Sequence, residues 1–207
     1  NPSLLDRVDG RYRGEIIREG NLLQEKIGKD IPALLKDRQP EILIGISKTL
    51  SAIGINKYND ELYYIFKTNK SPEVRASVLN TLGQLNFDKM EAAMIIGMQD
   101  SNEQVRTSAV GLLGQLNLPK EKLPAIVGPI FKKGSVSEQQ RMLNVLGDLP
   151  VENSNTILAS LIDKASNNQL NQGILLDLME SVNATENPKL IARLDKLKKA
   201  GFSADSF

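Results

Sequence analysis

Two stretches of this chain repeat each other, and that repeat limits the fold more than any other feature. Residues 71–86 (SPEVRASVLNTLGQLN) align with residues 102–117 (NEQVRTSAVGLLGQLN) at an offset of 31 residues. Weaker copies extend the register in both directions. One column reads Leu50, Leu79, Val110, Leu143 and Leu175. The next reads Ile53, Leu82, Leu113, Leu146 and Leu178, and a third reads Gly54, Gly83, Gly114, Gly147 and Met179. The spacings are 29, 31, 33 and 32 residues. A period of this length marks a stack of like units, each one supersecondary element.

Within a copy the period is helical. Val74, Val78, Leu82 and Leu85 fall on one face, with Ser77, Asn80 and Gln84 opposite. Ser71, Pro72 and Glu73 form a helix start: a cap, a first-turn proline and an acid near the positive dipole end. The glycine column marks either close helix approach or a helix end. Close approach is favoured, because Leu85, Leu116 and Leu149 continue the pattern.

Shorter apolar segments lie between these helices, at 61–67, 92–99, 123–132 and 156–164. Each reads as the first helix of a hairpin whose second helix carries the columns. Turn residues separate them at 69–72, 100–102, 133–135 and 167–168. Links back to the next hairpin are expected at 56–60, 86–88, 117–119 and 150–154. No window alternates strictly, so no strand is expected. An amphipathic hairpin cannot bury its apolar face alone, and stacking supplies the missing partner.

Residues 21–36 are expected to be the first helix of the initial hairpin, and Asn187–Ala200 the closing helix. Residues 1–20 read as a cap or the remnant of a preceding domain, 21–200 as the repeat body, and 201–207 as a linker. The start at Asn1-Pro2 and the Gly201–Phe207 ending suggest a piece of a longer polypeptide.

Composition narrows the chemistry. There is no Cys and no His. That removes disulfides, thiolate nucleophiles, Cys/His zinc sites and imidazole catalysis. Lys+Arg number 26 against Asp+Glu 25, so net charge gives no case for nucleic acid. Lys196, Lys198 and Lys199 suit the negative end of a helix. No apolar run reaches the roughly 18 residues that span a membrane. Aromatics are 4%, which favours close-packed helices over a sandwich.

The segment Asp100 to Arg106, with Val105, Ala109, Leu112 and Leu113, resembles the HEAT-repeat family, above all its short bacterial form. The resemblance covers roughly residues 21–200. It implies an all-α fold: a right-handed α-α superhelix of about five helical hairpins. It also implies a ladder in which a turn Asp and a second-helix Arg tie neighbouring repeats together. Asp100, Arg106 and Arg75 are the residues that fit. Asn69 stands where an Asp precedes Arg75, and the following copy has Lys133 and Gln139, so the ladder is partial. The family serves many functions, so fold does not give function.

A second resemblance is to helical-repeat segments of large exported bacterial proteins that join a propeller dehydrogenase to a cytochrome c. It implies an extracytoplasmic setting, in the periplasm or cell envelope. The haem-attachment motif itself is absent here. Bilin lyases also use short HEAT repeats, and that alternative would predict a groove with clustered acids.

Candidate chemistry is sparse. Gly111–Gly114 lacks the Lys and Ser/Thr of a phosphate loop. Asp177 with Glu180, and Asp60 with Glu61, are acid pairs on expected solvated faces. Asp100 with Glu103 lacks EF-hand spacing. Tyr58, Tyr63, Tyr64 and Phe66 cluster; Tyr63 and Phe66 share a side, and Tyr64 points elsewhere. Asn183-Ala184-Thr185 reads as a turn. The better candidates lie on the polar faces of the second helices: Asn80, Gln84, Gln115, Arg141, Asn144 and Asp148. The expectation is a non-catalytic scaffold or spacer, monomeric, without cofactor, metal, nucleic acid or membrane insertion, contacting a protein or neighbouring domain.

Overall fold

The apolar columns become the seams between helices. The computed structural model describes residues 27–116 and 118–199. Among these the chain is helical throughout and contains no strand. The α-helices are α1 (Ile31–Leu34), α2 (Pro40–Ala52), α3 (Asn59–Thr68), α4 (Pro72–Gln84), α5 (Met90–Met98) and α6 (Glu103–Leu113). They continue as α7 (Leu123–Lys133), α8 (Val136–Asp148), α9 (Val151–Ser166), α10 (Leu175–Ala184) and α11 (Pro188–Lys199). A short 3-10 turn, Gln172–Ile174, leads into α10.

Even-numbered helices pack in succession: α2 on α4, α4 on α6, α6 on α8, and α8 on α10. A second succession runs from α5 to α7, α9 and α11. Cross-contacts join α3 to α4, α5 to α6, α7 to α8 and α9 to α10, as hairpins require. The core is one continuous cluster. Leu50, Leu79, Val110 and Leu143 are fully buried in it, and Leu175 is nearly so. Burying a leucine side chain contributes about 1.5–3 kcal/mol, so each column is a large stabilising term.

The starts of α4, α6 and α8 are capped as the sequence suggests. Ser71 accepts from the Val74 N–H, Asn102 from Gln104, and Ser135 from Glu138 within a full capping box. A matching turn precedes α2, α4 and α6. Asp37 Oδ1 accepts from the Gln39 N–H at 2.8 Å, Asn69 Oδ1 from Ser71 at 2.9 Å, and Asp100 Oδ1 from Asn102 at 2.8 Å. The short side-chain acceptor satisfies a donor that the incoming helix leaves open.

The glycine column divides between its two readings. A Cβ on Gly83 would lie 2.7 Å from Leu112 Cδ2, and one on Gly147 would lie 3.1 Å from the Ser181 Cα. These two permit close approach. Gly54 instead has φ +70° and sits past the end of α2, where the Ile55 N–H reaches back to Leu50 O at 2.9 Å. Asn86 does the same after α4, with φ 51° and a bond from the Phe87 N–H to Leu82 O. Both are left-handed C-terminal caps. Gly114 caps α6 in ordinary helical geometry.

Two boundaries differ from expectation. Residues 150–154, expected as a link, form the N-cap and first turn of α9. Pro150 fits at a helix start, and its carbonyl accepts from Asn153 and Ser154. Of the helix expected over 21–36, residues 21–26 lie outside the described residues. Ile27 is helical, 28–30 form a turn, and Ile31–Leu34 form α1, so the described part is broken rather than continuous. The expected cap at 1–20 and linker at 201–207 lie outside the described residues.

Candidate functional site

The ladder residues come together across neighbouring hairpins. Arg75 on α4 reaches forward to Asp100, in the turn before α6. Its Nε donates to Oδ2 and its Nη2 to Oδ1, both at 2.8 Å. The remaining Nη1 donates back to the carbonyls of Asn69 and Lys70, at 2.9 and 3.0 Å. Arg106 repeats the posture one hairpin on. Its Nη1 bonds the carbonyls of Asp100 and Ser101, at 2.7 and 3.0 Å. Its Nε and Nη2 grip Glu138 on α8, at 2.6 and 3.0 Å.

Each arginine thus bonds the carbonyls of its own turn and the carboxylate of the next repeat. Two-point forks of this kind are strong because both partners are charged and planar. The side chains of Arg75 and Asp100 are 13% and 9% exposed and Glu138 is 1% exposed, so removing one partner would strand the other's charge away from water.

Electrostatics follow from this geometry. Burial pushes the Asp100 carboxyl up, but the bonds from Arg75 and the Asn102 N–H, with the nearby guanidinium charges, outweigh it and hold it low. Glu138 is likewise pushed up by burial and pulled lower by Arg106 and by the Ser135 N–H and hydroxyl.

Glu138 was not foreseen, because Lys133 occupies the aligned turn position. The acid comes instead from the third position of α8. The signal was present: Ser135 to Glu138 has the spacing of a capping box. Gln139 stands where the arginine would be. Its Nε2 donates to Gly134 O at 2.9 Å, which keeps the local half of the arginine's role and drops the forward half.

The polar strip is partly engaged. Asn80, Gln84 and Gln115 share a shallow depression of about 550 Å³ with Lys48, Glu73 and Ser108. Gln84 accepts a hydrogen bond from the Ser51 hydroxyl, and Ser47 and Ser77 hydroxyls meet at 3.2 Å. These contacts tie α2 to α4 and leave less of Gln84 for a partner. Arg141, Asn144 and Asp148 are exposed on α8 and do not line that depression.

The aromatic cluster separates as its spacing implies. Tyr63 and Phe66 stack with ring centroids 6.4 Å apart, Phe66 is fully buried, and Tyr64 is 65% exposed. Asp60, Glu61 and Glu180 are exposed and Asp177 is half-buried. Asp60 pairs with Lys89 at 2.7 Å, and Asp177 accepts from Gln140 at 3.0 Å. Thr185 caps α10, its hydroxyl donating to Val182 O at 2.7 Å, so residues 183–185 form a helix end. Among the described residues no group of three or more Asp, Glu, His or Cys could hold a metal ion. No described helix is long and apolar enough to cross a membrane.

No protein-family model matches the chain, and no curated protein is similar enough to it to count as a relative.

Proposed function

We propose that this chain is a right-handed superhelix of HEAT-type hairpins, about five in number, acting as a non-catalytic scaffold or spacer. The observation that carries this reading is the forward fork. Arg75 to Asp100 and Arg106 to Glu138 link consecutive hairpins in the same sense, as a ladder of that family would. A repeat body built this way is stiff along its length and presents one row of helices as a surface.

The surface favoured for contact is the polar strip of the even-numbered helices, through Asn80, Gln84, Gln115, Arg141, Asn144 and Asp148. Its depression is rich in amides and hydroxyls, with Glu73 as the one acid that lines it. That lining supports contact with a polar protein surface or backbone over a lyase groove of clustered acids.

The test uses a photo-crosslinking residue placed at Asn144 and, separately, at Asn155 on α9. Each variant would be incubated with the neighbouring domain or partner protein. Adducts from position 144 that vanish when Asn80, Gln84 and Gln115 become alanine support the strip. Equal adducts from both positions would discard it.

A further inference from the structure

A second face carries a more specific chemistry. The C-terminal ends of α5, α7 and α9 surround a cleft of about 1020 Å³. That is at the upper end of the roughly 300–1,000 Å³ of ligand sites. It shares no residue with the amide-rich depression. It exists because α9 meets α7 through few residues, whereas α7 lies close against α5.

The rim is basic. Lys132 and Lys133 end α7, and Lys164 lies in the last turn of α9. All three line the cleft, are exposed, and have no carboxylate partner among the described residues. The other charged residues of the lining, Asp100 and Arg106, are already held by Arg75 and Glu138. A lysine at a helix end has an ordinary role in offsetting the dipole, so the magnitudes matter. Each helix end carries about half a negative charge, so three ends offset about half of three ammonium groups. A net positive rim remains.

Pro129, Phe131 and Leu170, each half-buried, supply the apolar part of the lining. The wall contains an anomaly. Gly128 and Pro129 stand in the middle of α7, where they are the two residue types that most weaken a helix. Packing does not call for the glycine: a Cβ there would meet nothing within 4 Å. What the missing side chain does is leave the wall open. Gln99, Gln169 and Asn171 supply amides at the edge, suited to a peptide backbone.

We propose that this cleft docks an extended acidic segment of a partner protein, with one large apolar side chain seated against Pro129, Phe131 and Leu170. The lysine rim matches flanking carboxylates. A nucleic-acid backbone would meet the lysines and leave the apolar side chains of the lining uncovered.

The experiment is fluorescence anisotropy with a labelled synthetic peptide in which Asp and Glu flank a single Phe. Expected are saturable binding that weakens with salt, and loss of about tenfold in affinity in a Lys132→Glu, Lys164→Glu double variant. Gly128→Phe should weaken binding similarly by filling the wall, and it serves as the second variant if charge reversal harms folding. Lys57→Glu, which lies outside the cleft, should bind as the parent does. The strip variant with alanine at Asn80, Gln84 and Gln115 should also bind normally, which separates this site from the proposed scaffold surface. The proposal is overturned if no saturable binding occurs, or if both cleft variants match the parent. It is equally overturned if a peptide with Ala in place of Phe binds as tightly, or if a single-stranded oligonucleotide outcompetes the peptide.

Discussion

Arg75 and Asp100 lie 25 residues apart in sequence and meet as a parallel two-point fork, 2.8 Å at each contact. Asp100 serves two structures at once, since its Oδ1 also accepts the Asn102 N–H that opens α6. The fork therefore joins a cap to a neighbouring helix. Asp100→Asn should keep an acceptor for that N–H and lose the charge, whereas Asp100→Ala should lose both. The expected losses on urea unfolding are about 1–2 kcal/mol for Asn and about 2–4 kcal/mol for Ala. Equal losses would show that the charge contributes nothing beyond the cap.

Acid should loosen the same contacts. The carboxyls of Asp100 and Glu138 are held below their ordinary range in the folded chain. On acidification the unfolded chain binds these protons first, so protonation favours unfolding. The stabilisation is present above the unfolded value of about 4 and is lost as pH falls through the lower folded values. Thermal midpoints should stay nearly level from about pH 7 to about pH 5 and drop below about pH 4. Glu138→Gln should lower the plateau and flatten the drop. An unchanged acid limb in that variant would remove Glu138 from the account.

The glycine column should respond unevenly to alanine. At Gly147 the added Cβ meets the Ser181 backbone at 3.1 Å, which gives way only if helix α10 moves. At Gly83 it meets the end of the Leu112 side chain at 2.7 Å, which must rotate within a packed core. Both should cost about 1–3 kcal/mol. At Gly114 the nearest atom is Val145 Cγ1 at 3.6 Å, and the backbone is already helical. Gly114→Ala should be neutral or stabilising by up to about 1 kcal/mol. A uniform response across the three, by thermal unfolding, would contradict the close-approach geometry.

The neighbouring aromatics give a sharp contrast. Phe66 is fully buried and Tyr64 is on the surface of the same helix. Phe66→Ala should cost about 3–5 kcal/mol, while Tyr64→Ala should stay within about 0.5 kcal/mol of the parent. A large loss for Tyr64→Ala in denaturant titrations would mean that its ring packs against something.

Much of this was legible in the sequence because the repeat sets both periods at once. The 31-residue offset identifies equivalent positions, and the helical spacing within a copy identifies the buried face. Leu79, Leu82, Val110 and Leu113 followed directly. Less legible was where a short side chain acts through space. The resemblance implies that such residues tie neighbouring repeats together, and Arg75 takes Asp100 in that sense, but Arg106 takes Glu138, an acid 32 residues away that no aligned turn position marks. Alignment compares equivalent positions, and Glu138 stands outside the column that Asp100 occupies. The Pro150–Ser154 stretch misled for a different reason. Its Pro, Asn and Ser are turn formers, but they also suit the first turn of a helix. The cleft beside α7 had no sequence signature, because its lysines come from two helices that only packing brings together.

Consecutive hairpins are cross-locked by these buried arginine–carboxylate forks. A double-mutant cycle on Arg106→Met and Glu138→Gln, measured by urea unfolding, isolates one such fork. Glutamine keeps an acceptor for the Ser135 N–H, so the cycle isolates the fork from the cap. A coupling of about 1.5–3 kcal/mol is expected. A coupling within about 0.3 kcal/mol of zero would mean that the hairpins are held by their apolar seams alone.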